Sequence, residues 1–255
     1  MSGDVTLIEA GDGGITRLVQ TAATLFARPG FGPAALVGGL AVTMRLATVH
    51  RATNDVDAVS DGEAPLQYVG EDDAHGSKRM EIDGVKVDVM STSPLPMTAE
   101  ELPDGDLDRL FVLAHRWALE SAEPVAVRVV TTTESEPHTL VVATAPALVA
   151  CKFHAIADRR DARREKRESD ALDLVRLIGD LVRSPAGAEQ FADAPFDLVD
   201  LVSLQTQRWL IEDATRTARL ITLSSGGGDE AMNPANIATI GELFVERLAS
   251  SRRTI

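Results

Sequence analysis

The chain has 255 residues, 44% hydrophobic and 25% charged, enough apolar material for a substantial core in one large domain or two smaller ones. Its formal net charge of −14 argues against global attraction to nucleic acid, and its single cysteine, Cys151, excludes an internal disulfide. No apolar run approaches the roughly 20 residues that span a bilayer, and Asp4, Glu9 and Asp12 break the layout of a secretion signal, so the expectation is a cytoplasmic protein with no membrane partner.

In chain order, Ile15, Leu18, Val19, Ala22 and Phe26 share one face of a helix over 15–27, stopped by Pro29-Gly30-Phe-Gly32-Pro33. Residues 34–37 read as a short apolar strand, and 40–47 as a helix opened by Gly38-Gly39. A strand over 56–59 extends Asp55 and Asp57. Residues 78–82 and 85–90 form a hairpin turned at Asp83-Gly84, in which Asp88 points away from the face of Val85, Val87 and Val89. A helix over 107–121 is followed by paired strands at 125–130 and 139–143. Pro146 starts a mostly apolar helix over 147–157 that carries Lys152. Further helices are expected over 169–182, 196–204, 208–220 and 237–248, with a Gly-rich linker at 224–229. The fold class is therefore α+β: a mixed sheet with flanking helices over residues 1–143, then a helical domain over 144–255.

Chemistry concentrates between Ala35 and Ser60. Asp55 and Asp57, one residue apart on a strand, share a face, and their mutual repulsion calls for a cation between them. Mg²⁺ suits such a pair, held by one or two carboxylates and substrate phosphates. Gly38-Gly39 at a helix start would bring backbone N–H groups against those phosphates. Together these features suggest nucleotidyl transfer. Asp88 would supply a third carboxylate if the two strands lie alongside, or else face solvent. Arg51 either binds phosphate or pairs with a carboxylate. Without context, Asp-x-Asp is a turn or solvent-exposed pair, and a lysine in an apolar helix snorkels to the surface. His50, His75, His115, His138 and His154 lack the spacing of a zinc site, and Cys151 has no basic partner that would make it a nucleophile. Arg159, Arg160, Arg163, Arg164, Lys166 and Arg167 form a basic block, either a helix face paired with its acidic neighbours or an RNA contact.

Leu36-Val-Gly38-Gly39-Leu-Ala41, followed by Arg51-Ala-Thr53-Asn-Asp55-Val-Asp57, resembles the polymerase-beta-like nucleotidyltransferase superfamily, and within it the AbiEii/MenT-type toxins. Lys152 in Ala-Cys-Lys152-Phe-His and Asp170 in Ser-Asp170-Ala-Leu-Asp173-Leu match that group's later lysine and aspartate, so the likeness covers residues 15–180. Where many relatives have Ser or Thr after the glycines this chain has Leu40, so a hydroxyl contact to phosphate is lost or moved. The resemblance implies a nucleotidyltransferase-like sheet and transfer of a nucleoside monophosphate from an NTP, with Mg²⁺ on Asp55, Asp57 and Asp88. Gly38, Gly39, Arg51 and Lys152 would bind the nucleotide, and Asp55, Asp57, Lys152 and Asp170 would be the catalytic set. It further implies RNA, at the acceptor end of tRNA, as acceptor, and a toxin of a type IV-like toxin–antitoxin system with a cognate antitoxin. The alternatives are transfer to a small molecule or protein, for which the acidic charge suits a cationic acceptor, or a non-catalytic nucleotide-binding module.

Overall fold

The computed structural model describes residues 4–9, 13–28, 31–61, 77–92, 101–131, 135–158, 164–184, 187, 189–224 and 232–251. The chain divides into two compact units: residues 1–102 with 115–144, and residues 103–114 with 145–255.

The first unit is built on a seven-stranded mixed sheet with strands β1 (Asp4–Ile8), β2 (Ala34–Val37), β3 (Asp55–Ser60), β4 (Ser77–Ile82), β5 (Val85–Ser91), β6 (Glu123–Val130) and β7 (Ser135–Val142). Their order across the sheet is β1-β6-β7-β2-β3-β5-β4. Parallel pairs (β1/β6, β7/β2, β3/β5) alternate with antiparallel ones (β6/β7, β2/β3, β5/β4). Helix α1 (Gly14–Phe26) packs against β7, β3 and β5, and α2 (Gly38–Leu46) against β3 and β2. The apolar alternation read from the sequence is visible in β5, where Val85, Val87 and Val89 are buried while Lys86 is exposed. The turn between β4 and β5 has positive φ at both central residues, Asp83 (51°) and Gly84 (77°), the geometry that suits the twist of a two-residue hairpin.

Strand β1 has no counterpart in the sequence reading, because its alternating pattern leaves Leu7 as its one buried side chain. Backbone pairing with β6 and the following Glu9 secure it instead. Glu9 N–H donates to the Val130 carbonyl at 3.0 Å. The Glu9 carboxylate accepts the Ile15 and Thr16 N–H groups at 2.6 and 3.1 Å, capping α1. At the far end of α2, Arg45 donates to the carbonyls of Ala143 (2.7 Å) and Val142 (2.6 Å) and approaches Glu123 at 3.4 Å, fixing this short helix to the ends of β7 and β6. Burial lowers the Arg45 pKa, and the Glu123 carboxylate opposes that shift.

The expected division at residue 143/144 needs one correction. Helix α3 (Asp106–Glu120) is split between the units, residues 103–114 clustering with the second. Its Phe111 ring meets the His154 ring at a tilt of 55°, centroids 4.9 Å apart, within that second unit. Among its described residues the second unit is otherwise helical: α4 (Ala145–Asp158), α5 (Arg164–Arg183), α6 (Phe196–Thr206), α7 (Ala214–Leu223) and α8 (Pro234–Ser251). Helix α5 packs against α4, α7 and α8, burying Leu172, Leu174, Val175, Leu177, Ile178 and Leu181. Arg247 of α8 donates to the Ser184 carbonyl at 2.5 Å, satisfying an acceptor just past the C-terminus of α5.

Two helices differ from the sequence reading. Helix α5 begins at Arg164 rather than 169, because Arg164-Glu-Lys-Arg-Glu168 are strong helix formers that carry no apolar period. The helix expected over 208–220 is instead a π-helical turn over Gln207–Glu212 continuing α6, a break at Asp213, and then α7. Asp213 N–H bonds back to Arg208 at 2.9 Å, and the Thr217 hydroxyl donates to the Trp209 carbonyl at 2.6 Å. Gly241 of α8 is the partner that makes room for this widened turn, since a Cβ there would lie 2.8 Å from Leu210 Cβ. Among the described residues no helix is long and apolar enough to cross a membrane.

Candidate metal centre

Three carboxylates converge in the first unit. The parallel register of β3 and β5 sets Asp57 beside Asp88, with Asp55 two residues up the same face of β3. One oxygen from each of Asp55, Asp57 and Asp88 lies within 4.8 Å of the others, and all three side chains are partly buried. Among the described residues this is the one grouping of three or more His, Cys, Asp or Glu side chains able to hold a metal ion. The donor set is all oxygen and carries three negative charges, which matches a hard divalent cation such as Mg²⁺ and not a soft metal.

The antiparallel pairing of β2 with β3 places Val37 opposite Asp57, so the chain enters α2 against that carboxylate. Gly38 there adopts φ +70°, and a Cβ added to it would overlap Asp57 Oδ2, Cβ and Cγ. Its neighbour Gly39 is crowded from the other direction. A Cβ on Gly39 would lie 2.5 Å from Arg51 Nη2 and 2.8 Å from Thr53 Oγ1. The two glycines thus let the N-terminus of α2 meet the acidic site, the Arg51 guanidinium and the Thr53 hydroxyl together. That combination of backbone N–H groups, a fixed cation and a hydroxyl is chemistry suited to phosphate. Arg51 also donates from Nη1 to the Ala52 carbonyl at 2.9 Å, and Thr53 Oγ1 stands 3.5 Å from Asp55 Oδ1. Leu40, which follows the two glycines, is fully buried in the core.

Two participants were not singled out from the sequence. Arg79 on β4 faces Asp88 in the hairpin register and grips it with two bonds, Nε to Oδ1 at 2.7 Å and Nη2 to Oδ2 at 2.9 Å. The signal existed: a turn centred on Asp83-Gly84 pairs residue 82 with 85, and hence 79 with 88. The other is Thr53, whose hydroxyl stands over Gly39 and beside Asp55.

Lys152 and Asp170 belong to the second unit. Lys152 Nζ lies 2.7 Å from Asp170 Oδ1 and equally 2.7 Å from Asp173 Oδ2. All three side chains are buried, Asp173 completely. Lys152 therefore does not snorkel, and Asp173 shares the lysine on equal terms with Asp170. Burial pushes the neighbouring Cys151 thiol up to about 12 against the pull of the Lys152 charge, so it stays protonated and unreactive at neutral pH. The stability linked to this raised pKa is fully present below the ordinary thiol value and is lost as pH climbs through the folded one. His154 packs on Phe111, and His50 lies near the Thr48 carbonyl at 3.3 Å. His75, Arg159, Arg160 and Arg163 lie outside the described residues, as does most of the Gly-rich linker.

No protein-family model matches the chain, and comparison with curated proteins and with solved structures gives no match either.

Proposed function

We infer that the chain is a metal-dependent nucleotidyltransferase with a nucleotidyltransferase-like sheet, moving a nucleoside monophosphate from an NTP to an acceptor. The observation that carries this reading is the meeting of Asp55, Asp57 and Asp88 with the Gly38-Gly39 start of α2. Carboxylates alone are common on protein surfaces; carboxylates against a glycine-opened helix N-terminus, with Arg51 and Thr53 over the second glycine, are suited to a metal–triphosphate. Asp55, Asp57 and Asp88 would hold Mg²⁺, which supplies neutralisation of the charge developing on the phosphates. The chain's own residues divide the remaining work. Backbone N–H groups at the start of α2 and the Arg51 guanidinium orient the triphosphate, and Thr53 provides the hydroxyl that Leu40 cannot. Lys152 is assigned to the nucleotide by the sequence resemblance alone, and its test is a rise in KM for NTP in Lys152→Arg.

The acceptor favoured by the same resemblance is RNA at the tRNA acceptor end, within a type IV-like toxin–antitoxin pair. The formal charge of −14 favours a second reading, a cationic small molecule as acceptor. Incubation with each labelled NTP, Mg²⁺ and either total RNA or a panel of cationic acceptors decides between them, with Asp55→Ala as control. Label is expected in RNA and absent in the variant. Label on no acceptor despite calorimetric binding of Mg²⁺–NTP returns the chain to a non-catalytic nucleotide-binding module, and no binding of Mg²⁺–NTP overturns the metal–triphosphate reading.

A further inference from the structure

We propose that Arg79 is a fourth, cationic member of the carboxylate site: a fixed counter-ion that weakens its hold on free metal, so that metal is held firmly only together with a triphosphate. The inference rests on the nucleotidyltransferase reading and adds to it a residue that neither the motif nor the resemblance contains.

The geometry is specific. Arg79 and Asp88 are direct cross-strand partners on the face opposite the buried valines, and their two bonds of 2.7 and 2.9 Å form a fork-to-fork pair. An exposed cross-strand ion pair contributes only about 0–1 kcal/mol and calls for no function. Here one end is not exposed: the Asp88 side chain keeps 14% of its accessible surface, and an Asp88 oxygen sits within 4.8 Å of oxygens from Asp55 and Asp57. Three carboxylates so close repel one another, and a guanidinium, which does not lose its proton, offsets one of the three charges at any pH of interest. The remaining lone pair on each Asp88 oxygen still leaves room for a metal bond. The cost is electrostatic, because a cation entering the site meets a positive charge already in place. Triphosphate brings negative charge of its own and removes that penalty, coupling metal and nucleotide binding.

The test is titration of the full chain with Mn²⁺ alone, followed by calorimetry or electron paramagnetic resonance, in wild type, Arg79→Gln and Arg79→Lys. The variant Arg79→Gln is expected to bind Mn²⁺ about tenfold more tightly, the effect of removing one unit charge several ångströms from a divalent ion at a partly exposed site. Arg79→Lys restores the charge without the fork and is expected to return the affinity to within about twofold of wild type. With a non-hydrolysable NTP present, the gap between Arg79→Gln and wild type is expected to shrink. The metal-free Arg79→Gln protein is expected to melt earlier and to recover with Mn²⁺, which also shows that it folds. Unchanged affinity in Arg79→Gln overturns the proposal, reducing the pair to a surface contact; weaker affinity that Lys does not rescue overturns it in favour of an orienting fork. In both cases the nucleotidyltransferase reading stands if wild type binds Mn²⁺ and Asp55→Ala does not. If wild type binds no Mn²⁺ with or without NTP, both fall.

Discussion

Gly38 carries two constraints at once. Its φ of +70° is a conformation that costs an L-residue about 1–2 kcal/mol, and the space where a Cβ would project is filled by the Asp57 carboxylate. The two contributions are separable. Gly13 has φ +80° with nothing within 4 Å of an added Cβ, so Gly13→Ala reports backbone strain alone. Gly38→Ala is expected to lose about 1–3 kcal/mol more than Gly13→Ala in urea unfolding, the range typical of overpacking. It is also expected to lose Mn²⁺ binding, because Asp57 has to swing away. Equal losses in the two variants, with metal binding intact, would remove Gly38 from the site. The neighbouring Gly39→Ala meets only the tip of Arg51 and the Thr53 hydroxyl, side-chain ends that can shift, so its cost falls on orientation of the phosphate contacts more than on stability.

At the scale of elements, α4 and α5 are joined by one lysine shared between two aspartates. Breaking such a buried arrangement is costlier than never having it, since the surviving charges are stranded away from water. Lys152→Met is expected to destabilise the chain by about 3–5 kcal/mol, read by urea unfolding. Replacing all three, as Lys152→Met/Asp170→Val/Asp173→Val, is expected to recover most of that loss. A triple variant no better than the single one would show that the aspartates have other essential partners. The legibility of these elements follows the same physics. Strand β5 was readable because alternation separates its valines from Asp88, and Asp55 and Asp57 were readable as a pair because a spacing of two puts them on one face of β3. Asp173 was not readable as an equal partner of Lys152, since helical spacing places both 170 and 173 on one face without saying which reaches a lysine on another helix. Strand β1 and the first turn of α5 escaped because backbone pairing and helix propensity, not apolar periodicity, hold them. The π-helical turn escaped because it leaves no mark in the apolar period, and the glycine it packs closely against, Gly241, lies on a different helix.

At the scale of the whole molecule, the formal charge of −14 and an RNA acceptor are reconcilable only through local positive charge. The sequence offers one such place, the block containing Arg159, Arg160, Arg163 and Arg164. Changing these four to Gln is expected to weaken RNA binding and to flatten its dependence on salt by up to about three in the log–log slope, the single-strand value for four lost phosphate contacts. Metal binding at the first unit should be untouched. An unchanged slope, measured by fluorescence anisotropy between low and moderate salt, would return the block to an ordinary solvated run of charges.

The Asp83-Gly84 turn has a reach beyond its two residues. Strand side chains alternate, so a slip of one position in this hairpin would exchange the faces of β4, carrying Met80 toward the carboxylates and Arg79 into the valine layer. The two-residue turn therefore acts as a ruler. It measures out, four residues from its tip, which charge stands beside Asp88, and an insertion there would rewrite the electrostatics of the candidate metal centre without touching any of its three carboxylates.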